Sequence, residues 1–255
     1  MDMKTDDIKN FYKREFQVNS YHTDLNGRLS IPSIFLFFQE IAWEHASMYG
    51  FGYDDLKDHS SFWVLSRIHL EVDELPKWTE SFTLTTWPSG TDGPFALRDF
   101  IIANTQGQQV IRATSSWLIV DAHTRRPKRP DAFKDRMPIC DTIRATPCNA
   151  PKVGNSEGKL IHEVKQTVGV CDIDVNGHIN NTKYIEWAVN SFSENDYKNL
   201  SINQIDVNFL SEGFCNNVCT HRTEAIDNTT RRTAIVREDN AKVLAVVSIC
   251  SGQKE

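Results

Sequence analysis

The 255-residue sequence predicts an α+β fold made of two halves with the same plan. The first sign is a short motif written twice. "DLNGRLS" at 24–30 and "DVNGHINN" at 174–181 share an acidic residue, an Asn-Gly pair and their spacing, with Asp24, Asn26 and Gly27 matching Asp174, Asn176 and Gly177. The second is that a stretch of helical periodicity follows each copy. The third is that about four alternating, β-like segments with short polar turns follow each helix, which implies an antiparallel sheet around one helix per half.

Taken in order, the first half opens with a strand candidate, "FQVNSY", then the motif, then "SIPSIFLFFQEIAWEHASMYG". Ser30 suits a helix N-cap, Pro32 a first turn and Gly50 a C-terminal stop. Ile34, Phe37, Phe38, Ile41, His45 and Met48 follow helical spacing, and Phe35 and Leu36 widen the apolar surface, which predicts a helix buried on most sides. The strands expected next are "FWVLSRIHLEV", "ESFTLTTW", "FALRDFIIAN" and "QVIRATSSWLIVD", with "PSGTDGP" and "NTQGQ" as turns. The Pro, Gly and charge content of "HTRRPKRPDAFKDRMPICDTIRATPCNAPKVGNSEGK" predicts a linker running over the surface.

The second half begins with "IHEVKQTVGV", then the motif, then "NNTKYIEWAVNSFS" with Asn180 or Asn181 as cap. Tyr184, Ile185, Ala188 and Phe192 form one stripe, and Lys183 and Glu186 face elsewhere. "NQIDVNFL", "VCTHRTEAI", "RRTAIVRE" and "VLAVVSI" follow as strands, with Ile205, Val207 and Phe209 alternating. The expected division is a first repeat over 1–122, a basic linker over 123–159 and a second repeat over 160–255.

Composition excludes some classes of function. Apolar residues make up 40% and charged residues 24%, as in ordinary globular proteins, and the formal net charge of −6 argues against nucleic acid as the main partner. "MDMKTDDIKNFYKREF" has no apolar core of the kind a signal peptide needs, and no apolar run nears the roughly 20 residues of a membrane-spanning helix, so a cytoplasmic protein is expected. Cys215, Cys219 and His221 hint at a metal site, but zinc signatures need two ligand pairs. In a strand-like segment these cysteines read as small packing residues, and no metal or cofactor is expected.

The two motif copies differ in chemistry. Arg28 stands where the second copy has His178. An Asp-x-Asn-Gly turn before a helix is an ordinary turn and cap, and that accounts for the whole first copy. It does not account for His178.

"DIDVNGHINNTKYIEW", with "NFLSEGF" downstream, resembles the acyl-acyl-carrier-protein thioesterases of plants and bacteria, over about residues 16–249. The resemblance implies two hotdog folds in tandem, each a long central helix wrapped by an antiparallel sheet. It also implies hydrolysis of a fatty acyl thioester. Carried over by position, the catalytic residues are Asp174, Asn176, His178 and Glu212. Where the plant enzymes have a cysteine after the glutamate this chain has Gly213, and Cys215 would share its face if the segment were a strand. A cysteine nucleophile is therefore disfavoured, and water activated by a carboxylate is expected.

Such chemistry needs a polarised carbonyl, an activated water and a leaving thiol. Backbone N–H groups near Gly177–Asn181, at the positive end of a helix, suit an oxyanion. Glu212 or Asp174 can act as general base, His178 can orient that carboxylate or shuttle the proton, and Asn176 can hold water or thioester. Phe35, Phe37, Phe38, Ile41, Trp43 and Met48 serve as core, and the resemblance implies that some also wall an acyl channel. The family's carrier protein is acidic, which makes Arg125, Arg126, Lys128 and Arg129, with Lys134 and Arg136, a candidate docking patch. Two rivals stand beside this reading: an acyl- or aroyl-coenzyme A thioesterase of the same fold, and a non-catalytic acyl-thioester-binding protein. Chain-length preference and oligomeric state stay open, a homodimer included.

Overall fold

The computed structural model describes residues 10–130, 136–154 and 158–253. Lys134 and the start of the N-terminal segment, residues 1–9, lie outside the described residues. The first half holds β1 (Tyr12–Gln17), α1 (Ile31–Ser47), α2 (Tyr53–Asp58), β2 (Ser61–Val72), β3 (Ser81–Asp92), β4 (Phe95–Ala103) and β5 (Gln109–Asp121). A two-residue β6 (Pro127–Lys128) follows. The second half holds β7 (Lys159–Thr167), α3 (Asn181–Val189), α4 (Glu194–Asn199), β8 (Leu200–Phe209), β9 (Val218–Ala225), β10 (Thr230–Arg237) and β11 (Lys242–Gln253). All pairings are antiparallel, in the order β1-β3-β4-β5-β2-β8-β11-β10-β9-β7, with β6 beside β5. The α+β reading and the tandem hotdog arrangement both hold.

The halves meet along one seam, where β2 pairs with β8 from Arg67↔Asn208 to Glu71↔Gln204. Inside, α1 packs against α3, and one apolar core runs through both halves, from Ile34, Phe38 and Phe100 to Ile185, Val207 and Val247. On α1, Ser30 caps the helix by accepting the Ser33 N–H, and Ile34, Phe35, Phe37, Phe38, Ile41 and His45 are buried. Leu36, Trp43 and Met48 are exposed, so the helix is less enveloped than its composition suggests. The sheet covers only the inner side of a helix, and a partly open cavity faces part of α1.

Several local expectations change. "PSGTDGP" is not a turn at Pro88. A register shift between Pro88 and Gly90, with Gly90 at φ 127°, carries β3 on to Asp92, and the chain reverses at Gly93 (φ 56°). Only glycine enters such backbone without cost. "FQVNSY" is strand only up to Gln17, and residues 20–22 form a short 3₁₀ turn. Cys215 lies in an exposed turn ahead of β9 rather than within a strand, while Cys219 is buried in β9, so the alternation argument about Gly213 and Cys215 does not apply.

Nor does the linker simply run over the surface. Met137, Cys140, Ala145, Thr146 and Ala150 are buried: Met137 packs with Ala46 of α1 and Leu56 of α2, and Cys140 and Ala145 pack with Trp87 of β3. Trp87 donates its indole N–H to the Ile143 carbonyl at 3.1 Å, and Asp99, fully buried, accepts from Ser89, Thr114, Arg144 and the Ala145 N–H.

Three buried histidines give the fold a pH dependence. Burial, then the Arg98 charge, pushes His45 down to about 3, and burial, then His162, pushes His221 down to about 4. His221 stacks on Trp187, and its Nε2 has no hydrogen-bond partner among the described residues. Burial also lowers His69, but the hydrogen bond and charge of Asp206 across the seam, at 2.6 Å, and those of Glu71 outweigh it and raise the group overall. In acid the unfolded chain protonates His45 and His221 while the folded chain does not. Stability should therefore fall from pH 6.5 towards pH 4, by about 1.4 kcal/mol per pH unit for each group. His69 adds no slope there, since both states are protonated, and its contribution is lost as pH rises through its raised value. Urea denaturation across this range should show a shallower fall for His221→Phe, and an unchanged slope would refute the assignment. Among the described residues, no helix is long and apolar enough to cross a membrane.

Candidate active site

The repeated turn is built the same way in both copies. Asp174 Oδ1 accepts the N–H groups of Asn176 at 2.8 Å and His178 at 3.4 Å, and the Asp174 N–H donates to the His178 carbonyl. Asp24 does the same with Asn26 and Arg28. Gly27 (φ 67°) and Gly177 (φ 78°) supply the left-handed residue each turn needs. One oxygen of Asp174 is thus committed to holding the turn, as it is in the copy that lacks the histidine.

Only the second copy builds more on this frame. His178 Nε2 lies 3.6 Å from Glu212 Oε2, and Phe214 packs edge-on against the imidazole, their centroids 5.2 Å apart. Glu212 follows β8, and its loop is fastened to the turn by the Ile179 N–H donating to the Gly213 carbonyl at 2.9 Å. A Cβ at Gly213 would meet the terminal methyls of the buried Ile179 and Leu244, the latter at 2.9 Å, and would require them to shift.

A cavity of about 730 Å³ opens beside the turn. Asp174, Asn176, Asn180 and Asn181 contribute one side, and Trp43 and Ala46 of α1, Phe62 and Trp63 of β2 and Trp117 of β5 are among those that form the other. It therefore spans the halves, running from the second repeat's turn along the first repeat's helix, and its size suits a small-molecule ligand. Asn180 caps α3 by accepting the Thr182 N–H at 3.0 Å, so the positive end of that helix faces the cavity. The N–H groups of Gly177, His178, Ile179 and Asn180 are all used within the protein. Those of Thr182 and Lys183 turn back onto Asn180, so what α3 offers a negative charge at the cavity is mainly the positive end of its dipole.

The four residues singled out in the sequence fall into two pairs, three of them on the turn and Glu212 on the loop after β8. His178 approaches Glu212; Asp174 and Asn176 line the cavity, with the Asn176 Nδ2 donating to Asp174 Oδ2 at 3.4 Å. Phe35, Phe37, Phe38 and Ile41 are core and are not among the cavity-lining residues, whereas Trp43 is. Sequence reasoning missed Arg98, a buried guanidinium on β4 that also lines the cavity. It lies 3.1 Å from His45 Nδ1 and donates to Thr86 at 3.2 Å, and burial pushes it down to about 10. Nothing in the local pattern "FALRDF" marks it as interior, since a strand arginine ordinarily points to water.

The first copy faces a smaller cleft of about 410 Å³, lined by Asp24, Asn26 and Arg28, by Asp73 and Glu74, and by Phe192 and Tyr197. Tyr197 of α4 is held to Asp24, and its backbone carbonyl accepts from Asn26 at 3.4 Å. A basic side chain and a tyrosine thus line the cleft at the place equivalent to the catalytic candidate.

The family models agree with this architecture. Residues 9–133 match the acyl-ACP thioesterase N-terminal domain and residues 157–244 match the C-terminal domain. Oleoyl-acyl carrier protein thioesterase 2 (chloroplastic) of Arabidopsis thaliana is 29% identical over 201 residues, covering 72% of this chain and 54% of the relative. Palmitoyl-acyl carrier protein thioesterase (chloroplastic) of Gossypium hirsutum is 26% identical over 251 residues, covering 91% and 59%. The chain spans about half the length of the curated relatives it matches. Among solved structures, an acyl-ACP thioesterase from Bacteroides thetaiotaomicron superposes with TM-score 0.83 at 24% identity, covering 98% of this chain and 100% of the other. The 12:0-ACP thioesterase from Umbellularia californica gives 0.83 at 20% identity, covering 96% and 98%. With two domain models matched in order and the same tandem fold throughout, the chain belongs to the acyl-ACP thioesterase family.

Proposed function

We propose that this chain hydrolyses fatty acyl thioesters carried on acyl carrier protein, releasing the free acid. The observation that carries this reading is the difference between two otherwise equivalent turns. One has a histidine beside a glutamate and opens on a large cavity; the other has an arginine, a tyrosine against its aspartate and a smaller cleft. The acyl chain occupies the cavity along α1, with the thioester at the turn. Glu212 removes a proton from water, which attacks the thioester carbon, and the oxyanion forms against the first turn of α3. His178 orients Glu212, takes that proton from it and passes it to the departing sulfur as the C–S bond breaks. Asp174 holds the turn, and with Asn176 it positions the thioester.

For docking, this reading relies on Arg126 and Arg129, which are exposed. Lys128 is tied to Asp121 at 3.1 Å and to Ser61 at 2.8 Å, and Arg125 to Glu212 at 3.2 Å, so those two serve the hairpin and the site instead.

The test is a panel of carrier-bound acyl groups assayed for free fatty acid, beside the same acyl groups on coenzyme A. Higher kcat/KM on the carrier is expected. Arg126→Glu with Arg129→Glu should lower kcat/KM on the carrier by on the order of tenfold at low salt, with the gap closing as salt rises. Equal loss on both carriers would remove the docking assignment. A preference for coenzyme A would favour the rival enzyme, and the absence of free acid from every substrate would overturn the function.

A further inference from the structure

By its sequence Arg125 is one residue of the candidate docking patch. Its surroundings are more specific than that. The β5–β6 turn that presents it is closed by Asp121, whose Oδ1 accepts the N–H groups of His123 at 3.1 Å and Thr124 at 2.8 Å and the Thr124 hydroxyl at 3.0 Å. The other Asp121 oxygen meets Lys128, and these contacts, led by the Thr124 N–H, hold the Asp121 carboxyl well below the ordinary carboxylate range. The Asp121 carbonyl accepts the Arg125 N–H at 2.9 Å, and Arg125 itself sits at φ 58°. Left-handed backbone is uncommon at a residue with a side chain and persists only where surrounding contacts enforce it.

The enforced turn aims the arginine at the site. Its guanidinium lies over the ring of Phe62, a cavity wall residue, at 5.3 Å, and its Nη1 donates to Glu212 Oε1 at 3.2 Å. The two oxygens of Glu212 are thereby divided, Oε1 to Arg125 from the first half and Oε2 towards His178 in the second. Both partners of the ion pair are partly exposed, at 53% and 36%, so the pair adds little to stability. An exposed pair reached through strained backbone is poorly explained as a fold-stabilising contact.

We infer that Arg125 is a positioning residue. The first half's hairpin holds the second half's carboxylate with one oxygen pinned, so that the other faces His178 and the water. The inference rests on the proposed function and assigns to Arg125 a role in the chemical step rather than in carrier docking. A general base held in one rotamer reacts from the ground state, whereas a free glutamate side chain on an exposed loop samples several.

The experiment measures kcat and KM for the full chain, Arg125→Gln, Arg125→Lys, Glu212→Gln and the double variant Arg125→Gln/Glu212→Gln. Two substrates are used, an acyl-carrier protein and the corresponding acyl N-acetylcysteamine thioester, which has no carrier to dock. Arg125→Gln should lower kcat on the order of tenfold on both substrates with KM nearly unchanged, and Arg125→Lys should recover part of that loss. In the Glu212→Gln background, Arg125→Gln should change nothing further, because its effect passes through the carboxylate. Thermal unfolding of all variants should match the parent within a few degrees, as expected for an exposed pair. A loss confined to KM on the carrier, or additive losses in the double variant, would overturn the inference while leaving the function standing. If the parent chain hydrolyses neither substrate, the proposed function fails and the inference falls with it.

Discussion

Glu212→Gln should bind carrier-linked acyl groups with near-parental KM and lower kcat by on the order of a hundredfold or more, and His178→Ala should do the same. The glutamine keeps the size of the side chain and its acceptor for Arg125 but cannot take a proton from water. Arg28→Ala is the matched control. Arg28 occupies the same place in the same turn, its backbone N–H bonds Asp24 as that of His178 bonds Asp174, and it can be no general base at physiological pH. It should leave kcat almost unchanged. Single-turnover assays of the folded variants decide the matter, and equal losses for Arg28→Ala and His178→Ala would refute the asymmetry between the halves.

The largest effect on stability is expected far from this chemistry, at Asp99. Its side chain has no solvent exposure and accepts from Ser89 at 2.8 Å, Thr114 at 2.7 Å, Arg144 at 3.0 Å and the Ala145 N–H at 2.7 Å. Asp99→Ala leaves these donors facing an apolar void and strands the Arg144 charge, so a loss of about 3–5 kcal/mol is expected. Because two of the donors belong to the linker, the 140–149 segment should detach from the first sheet as stability falls. Chemical denaturation gives the magnitude, and hydrogen exchange at Ala145 reports the detachment. A loss below about 1 kcal/mol would show that the network is dispensable.

Much of the architecture was legible because it repeats. Period-two alternation in segments such as 205–209 and helical spacing in 34–45 name the elements directly, and the twin Asp-x-Asn-Gly turns give their order. The errors fall where local pattern is a poor guide. Pro88 to Gly90 reads as a turn because a bulge uses the same residues as a reversal. Met48 fits the apolar stripe of α1 and yet is exposed, because the helix ends at Ser47 and Met48 is its C-cap. The Pro-rich linker reads as surface, although Met137 packs with α1 and α2, and Cys140 and Ala145 pack with Trp87 of β3.

The site divides in the same way. Asp174, Asn176, His178 and Glu212 could be named from the sequence because three of them share one turn and the fourth lies in a segment resembling the family's. That turn forms from local hydrogen bonds, so its shape follows from its own residues. Arg125 and Arg98 could not be found in this way. Arg125 reaches Glu212 only because β2 pairs with β8 and draws a hairpin of one half onto a loop of the other. Arg98 becomes a cavity residue only because α1 closes over β4 and buries a guanidinium beside His45. The sequence by itself determined the periodicities, the duplicated turn and which copy carries the histidine, since each is a property of neighbouring residues. The tertiary structure alone decided which carboxylate oxygen meets which cation and where the cavity runs, because those contacts join residues that only the packing of the two halves brings together.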